Sequence, residues 1–333
     1  MVTSSTGLPP ADPVGSRPVK QPVDLVLNGG GVKGMALVGA LSVLESRFEF
    51  QRVAGTSAGA IVGSLVAAGM TGSDLHDLML SLNYERFRDK TGLDKVPLVG
   101  EALSLWFREG IYAGSYARTW LATELANLKV HTFADLRQDD PASSLAPENR
   151  FKLVVVTSDV TRGRIVHLPW DYAQYGIDAD RQRVSDAVRA SMSIPFYFRP
   201  ERLAVPGAAP SVLVDGGMLS NFPVDIFDRT DGRPPRWPTL GIKLSLRQPP
   251  DAIEYTVKGD ISLAEAMLGT MQGWNDAAHL DDPSVLARTV FVDTFSVNAT
   301  DFSIDPATQQ RLFESGQQAA QRYLDRHPAP SSA

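Results

Sequence analysis

The sequence has no cysteine. That excludes disulfides, thiolate zinc sites and a cysteine nucleophile, and it leaves the redox state of the compartment open. No cluster of about five to eight Lys and Arg residues occurs, and the net charge at pH 7 is −6. A nucleic-acid partner is therefore not expected. Acidic residues do not gather into a metal set either. Asp139-Asp140 and Asp281-Asp282 are adjacent pairs with no nearby histidine or third acid, and they read as caps or solvated loops. No metal and no cofactor is expected. Residues 1–22 are rich in Ser, Pro, Gly and Val and have no apolar core, so they are no Sec signal. This favours the cytoplasm, with export by a dedicated secretion system as the alternative. Residues 53–73 carry no charge but are loaded with Gly, Ser and Thr, which suits a buried helix better than a bilayer span.

What remains is an ordinary globular composition: 333 residues, 43% apolar and 21% charged, enough to bury a large core. Apolar strand-like runs at residues 23–28, 53–54, 151–159, 164–168, 212–214, 240–244 and 290–293 alternate with helical stretches. The helices are expected near residues 35–44, 60–68, 75–82, 115–127, 184–192, 262–279 and 306–326. Near-continuous apolar strands of this kind belong to a sheet covered on both faces. The pattern predicts one α/β domain with a mostly parallel sheet. Residues 1–22 read as a flexible lead-in, 23–327 as the domain with a helical insertion at about 73–127, and 328–333 as a polar tail. Within the insertion, Leu103-Ser104-Leu105-Trp106-Phe107-Arg108 reads as helical packing, a cap over the site, or a membrane-contacting face.

Two glycine-rich turns stand at successive predicted strand tips. The first, Gly29-Gly30-Gly31-Val32-Lys33-Gly34, lies between a strand and an apolar helix, a frame that presents backbone N–H groups to an anion. It also fits the dinucleotide-binding spacing, but no acid ends the second strand to hold a ribose, and the Lys-Ser/Thr of a P-loop is missing. The second, Gly55-Thr56-Ser57-Ala58-Gly59, has the form of a nucleophile elbow, a serine on a sharp strand-to-helix turn. In a parallel sheet both tips share one edge, so amides of Gly30 and Gly31 face an acyl oxygen on Ser57. Each such donor is worth on the order of 3 kcal/mol in a transition state. A third feature, Asp215-Gly216-Gly217, follows a short predicted strand and by itself reads equally as a turn.

Taken in order, Gly29-Gly30-Gly31 with Lys33-Gly34, Gly55-Thr56-Ser57-Ala58-Gly59 and Asp215-Gly216-Gly217 resemble the patatin-like phospholipase family. Ala190-Ser191-Met192-Ser193-Ile194-Pro195 with Phe198 and Pro200 resembles that family's segment ahead of the aspartate. The resemblance spans about residues 23–227. It implies a three-layer α/β/α fold and a Ser–Asp dyad acting without histidine on lipid acyl esters. Ser57 would be the nucleophile, Asp215 the base, and Gly29, Gly30, Gly31 and Gly34 the oxyanion loop. Lys33 stands where many members have Arg. The implied partner is a lipid or ester substrate, with peripheral membrane contact. Two alternatives stay open: a Ser57, Asp215, His279 triad of the α/β-hydrolase order, and a lipid-binding protein that has lost turnover.

Overall fold

The computed structural model describes residues 19–89, 112–245, 266–267, 269–271, 282–295 and 297–328. The expected helix at 262–279, His279, Asp281 and the 103–108 segment lie wholly or mostly outside them.

An eight-stranded sheet forms the middle layer, in the order β5-β6-β3-β2-β1-β7-β8, with β4 paired to β3 off that path. The strands are β1 (Gln21–Leu27), β2 (Phe48–Thr56), β3 (Leu153–Asp159), β4 (Arg164–Leu168), β5 (Glu201–Leu203), β6 (Ser211–Asp215), β7 (Thr239–Lys243) and β8 (Thr289–Phe291). Five of them, β3-β2-β1-β7-β8, are mutually parallel; β4 and β6 run antiparallel to β3, and β5 antiparallel to β6. The parallel core thus matches the expectation from sequence, and an antiparallel margin is added to it.

The period of two along each central strand divides the core. Leu25 and Leu27 of β1, Val53 of β2 and Leu153 and Val155 of β3 face one layer. Val26, Ala54 and Val154, one residue out of step, face the other. The first layer holds helices α1 (Gly34–Leu44), α2 (Ala58–Ala67), α3 (Gly72–Ser81), α4 (Ser115–Asn127), α5 (Val184–Ser191) and α7 (Pro306–Arg326). On the second face lie Phe222, Val224 and Phe227, Trp170 of a 3-10 turn, and Val285 of the short helix α6 (Pro283–Ala287), capped by Asp282. Helices α1 and α2 are buried almost all round, as their lack of charge requires.

The uncharged run at 53–73 is divided between β2, the ten-residue α2 and the start of α3. Among the described residues no helix is long and apolar enough to cross a membrane. Among the described residues, the helical stretch after α2 comprises α3, a 3-10 turn at Tyr84–Phe87 and α4.

Candidate active site

The sheet brings the three motifs to one edge. β1 ends at Leu27 beside Gly55 of β2, and Thr56 lies level with Val156 of β3. β3 then runs on past β2 to Asp159, and β6 lies antiparallel on that overhang, so its last residue, Asp215, pairs with Thr157. Asp215 therefore arrives one residue beyond the level of Thr56, which is the level of Ser57. A strand of the opposite direction delivers the aspartate to the edge where the parallel strands end.

Ser57 occupies the elbow with φ 53° and ψ −118°, a left-handed backbone that only a constrained turn imposes on a serine. The flanking glycines are required by contact. A Cβ on Gly59 would sit 2.3 Å from the Leu27 carbonyl oxygen, and one on Gly55 equally close to the Gly59 carbonyl oxygen. The turn is also tied from below. The Ser57 N–H donates to Ser191 Oγ at 2.9 Å, and the Ser191 hydroxyl donates to the Val156 carbonyl at 2.5 Å. Ser191, at the end of α5, thus links the elbow to β3.

The glycine loop is fixed by backbone groups of distant segments, two of them reached through the side chain of the adjoining Asn28. Asn28 donates from Nδ2 to the Asn221 carbonyl at 2.9 Å and accepts at Oδ1 from the Leu244 N–H at 3.0 Å. Gly31 has φ +55°, and its hypothetical Cβ would lie 1.9 Å from the Ala299 carbonyl oxygen. Four of the loop amides are engaged: Gly29 donates to Asn221, Val32 to Ala299, Lys33 to Gly30 and Gly34 to Gly31. Gly30 and Gly31 keep N–H groups with no acceptor among the described residues. Ala58, first residue of α2, does too, as a helix N-terminus requires. Burial lowers the pKa of Lys33, at the start of α1.

Asp215 is only 4% exposed. Its N–H donates to the Ser193 carbonyl at 2.9 Å, and Oδ1 accepts the Gly217 N–H at 2.7 Å. Oδ2 has no formed hydrogen bond. The Ser57 hydroxyl faces the carboxyl closely enough to favour its charged form, but the contact is looser than a formed bond. Burial outweighs both donors and pushes the pKa up to about 6. Gly216 sits against the Val156 carbonyl, where a Cβ would come within 2.3 Å.

Ser57 opens onto an apolar cleft. Gly31, Val32 and Gly34 of the loop and Ala58 and Ile61 of α2 line one part. Met79, Leu82, Tyr84 and Phe87 form a second part, and Met192, Ile194, Phe198 and Phe302 close it. No histidine is in the lining among the described residues. His76 packs on Phe313, His131 lies in the turn before Thr132, His167 is on β4 near Asp171, and His327 stacks on Tyr323.

Residue reasoning from sequence did not single out Ala58, Ser191, Asn28 or Asn221 for the site. Ala58 was legible as the residue after an elbow serine at a helix start. The other three act through long-range hydrogen bonds; Ser191 was visible only as a member of the family-like segment, and Asn28 and Asn221 had no local signal.

The family model for patatin-like phospholipases matches residues 25–228, from β1 to just beyond Asp215. The uncharacterized protein YqhO of Bacillus subtilis (strain 168) is 34% identical over 304 residues, covering 91% of this chain and 98% of that protein. A probable lipid hydrolase, 463L, of Invertebrate iridescent virus 6 is 23% identical over 214 residues, covering 61% of this chain and 62% of its own length. The crystal structure of VipD from Legionella pneumophila shares the fold, with a TM-score of 0.52 at 20% identity over 93% of this chain and 67% of that one. With a matched region that contains the glycine loop, the elbow and Asp215, the chain belongs to the patatin-like phospholipase family.

Proposed function

We propose that this protein is a serine acyl hydrolase that cleaves lipid acyl esters through Ser57 and Asp215. The observation that carries the reading is the pairing itself: a strained, buried serine beside a buried carboxylate whose Oδ2 has no other partner. The apolar cleft at Ser57 suits an acyl chain.

Asp215 Oδ2 accepts the Ser57 hydroxyl proton as Oγ forms a bond to the ester carbonyl carbon. The carbonyl π electrons move to its oxygen, and the amides of Gly30, Gly31 and Ala58 stabilise that oxyanion. Collapse expels the alcohol, which leaves with the proton from Asp215. Water then attacks the acyl-enzyme, with Asp215 as base, and frees the acid and Ser57. Gly29 and Gly34, whose amides are spent inside the fold, shape the loop rather than donate. Gly217 holds the base by its N–H, and Gly55, Gly59 and Gly216 allow the close approaches. A carboxylate with pKa near 6 is a better match for a serine proton than one near 4, yet stays ionised at neutral pH.

The test is hydrolysis of p-nitrophenyl acyl esters and of phospholipid vesicles, with products identified, together with labelling by a fluorophosphonate probe. Wild type should hydrolyse and take label at Ser57. Ser57→Ala should do neither, and Asp215→Asn should lose turnover. A folded wild type that takes no label would favour a binding protein instead, and loss of activity in His279→Ala with the fold intact would favour a triad.

A further inference from the structure

One polar side chain of the cleft lining is left over by this chemistry. Of the described side chains lining it, only Ser57 and Tyr84 carry a hydroxyl, amide or charged group. Tyr84 follows α3 in the turn at Tyr84–Phe87, its ring stacks on Phe87 at 6.2 Å, and it is 7% exposed. Its hydroxyl is buried and has no partner among the described residues. An unmatched buried hydroxyl is costly to the fold, and phenylalanine would fill the same space without that cost. Burial raises the hydroxyl's pKa, so it stays protonated and able to donate as well as accept.

We propose that Tyr84 is a specificity-determining residue: its hydroxyl hydrogen-bonds an oxygen carried by the substrate inside the acyl cleft, selecting oxygen-bearing acyl esters over plain ones. This rests on the acyl-hydrolase reading of the same cleft. Two sources share the chemistry. The oxygen is a hydroxyl on the acyl chain, or the second ester carbonyl of a diacyl lipid. An apolar wall does not discriminate against a plain chain, whereas a site holding an unpaired hydroxyl favours the substrate that satisfies it.

The experiment compares wild type with Tyr84→Phe on two substrate pairs: p-nitrophenyl esters of plain and hydroxylated acyl chains, with the hydroxyl at successive carbons, and a lysophospholipid against its diacyl counterpart in mixed micelles. The ratio of kcat/KM, oxygen-bearing to plain, should fall about tenfold in Tyr84→Phe for one pair, and that pair identifies the source. The melting temperature should hold or rise, since the hydroxyl removed has no partner in the fold. The proposal is overturned if both ratios are unchanged, or if the melting temperature drops, which would give the hydroxyl a structural partner. If wild type cleaves none of the four substrates and Ser57 takes no label, the acyl-hydrolase reading fails along with it; hydrolysis with unmoved ratios removes the Tyr84 proposal alone.

Discussion

Of the three aspartates buried in this sheet, Asp24, Asp159 and Asp215, the first and the last are treated in opposite ways. Asp24 on β1 is fully buried, and Arg52 of β2 reaches it with two hydrogen bonds, one of 2.8 Å from Nε. The guanidinium is itself held over the rings of Phe227, at 4.6 Å, and Trp237, at 5.2 Å. Asp215 is nearly as buried, but it has one backbone amide and a loosely facing hydroxyl. Burial is the largest influence raising both pKa values, and only Asp24 has a cation to set against it. A buried carboxylate given its full complement of partners holds strands together. One left short of partners keeps an oxygen free to take a proton.

Exchanging each carboxylate for an amide should separate the two. In Asp215→Asn, turnover of a p-nitrophenyl ester should fall by a factor of about 10³ or more, because the proposed base for the Ser57 proton is gone. In Asp24→Asn, Arg52 keeps its charge in a buried place without the counter-charge. That should cost about 3–5 kcal/mol in denaturant unfolding, while kcat per folded molecule stays as in wild type. Activity loss in a fully folded Asp24→Asn would end the distinction.

The pH dependence sharpens it further. In the proposed mechanism Asp215 is a base and must be ionised, so kcat/KM should rise with pH as a single ionisation near pH 6, and the residual rate of Asp215→Asn should not show that step. Stability has the opposite sign. An unfolded aspartate ionises near 3.8 and the folded Asp215 near 6, so between these values the native state holds the extra proton. Stability contributed by the neutral form is complete below about pH 4 and lost as pH rises through 6. Asp215→Asn should therefore be more stable than wild type by about 1–3 kcal/mol at pH 8, with the gain gone at pH 4. Equal unfolding curves at both pH values would show that the buried charge carries no cost.

The contrast also marks what a sequence can disclose. The glycine loop, the elbow and the parallel core are local: each is a strand, a turn and a helix contiguous along the chain, so composition and period announce them. Arg52 reads as one polar residue at the start of a short run, because its partner Asp24 lies on another strand; β2 consequently extends back to Phe48, well before the apolar pair Val53-Ala54. β5 is three residues long, too short for a period to show. Asp215 was visible from resemblance, but its route was not, since strand direction is settled by pairing on the β3 overhang rather than by residues in β6. The division of labour among loop amides depends on Asn221 and Ala299, which lie roughly two hundred residues or more away along the chain.

The smallest effect concerns the link between the two halves of the proposed dyad. Ser191 accepts from the Ser57 N–H and donates to Val156, the residue that precedes Asp215's partner Thr157 on β3. It does not touch the reacting atoms and is a positioning residue. Ser191→Ala removes one hydroxyl and leaves the Ser57 N–H without its acceptor, so the strained elbow loses a tether on the side facing β3. Misplacement of a nucleophile by a fraction of an ångström is felt in the chemical step. Turnover should fall about tenfold and fluorophosphonate labelling should slow by a similar factor. KM and the pH midpoint should stay unchanged, because neither the cleft wall nor the environment of Asp215 is altered. If Ser191→Ala lowers only the melting temperature and kcat per folded molecule is that of wild type, Ser191 braces the fold and the elbow holds its geometry without it.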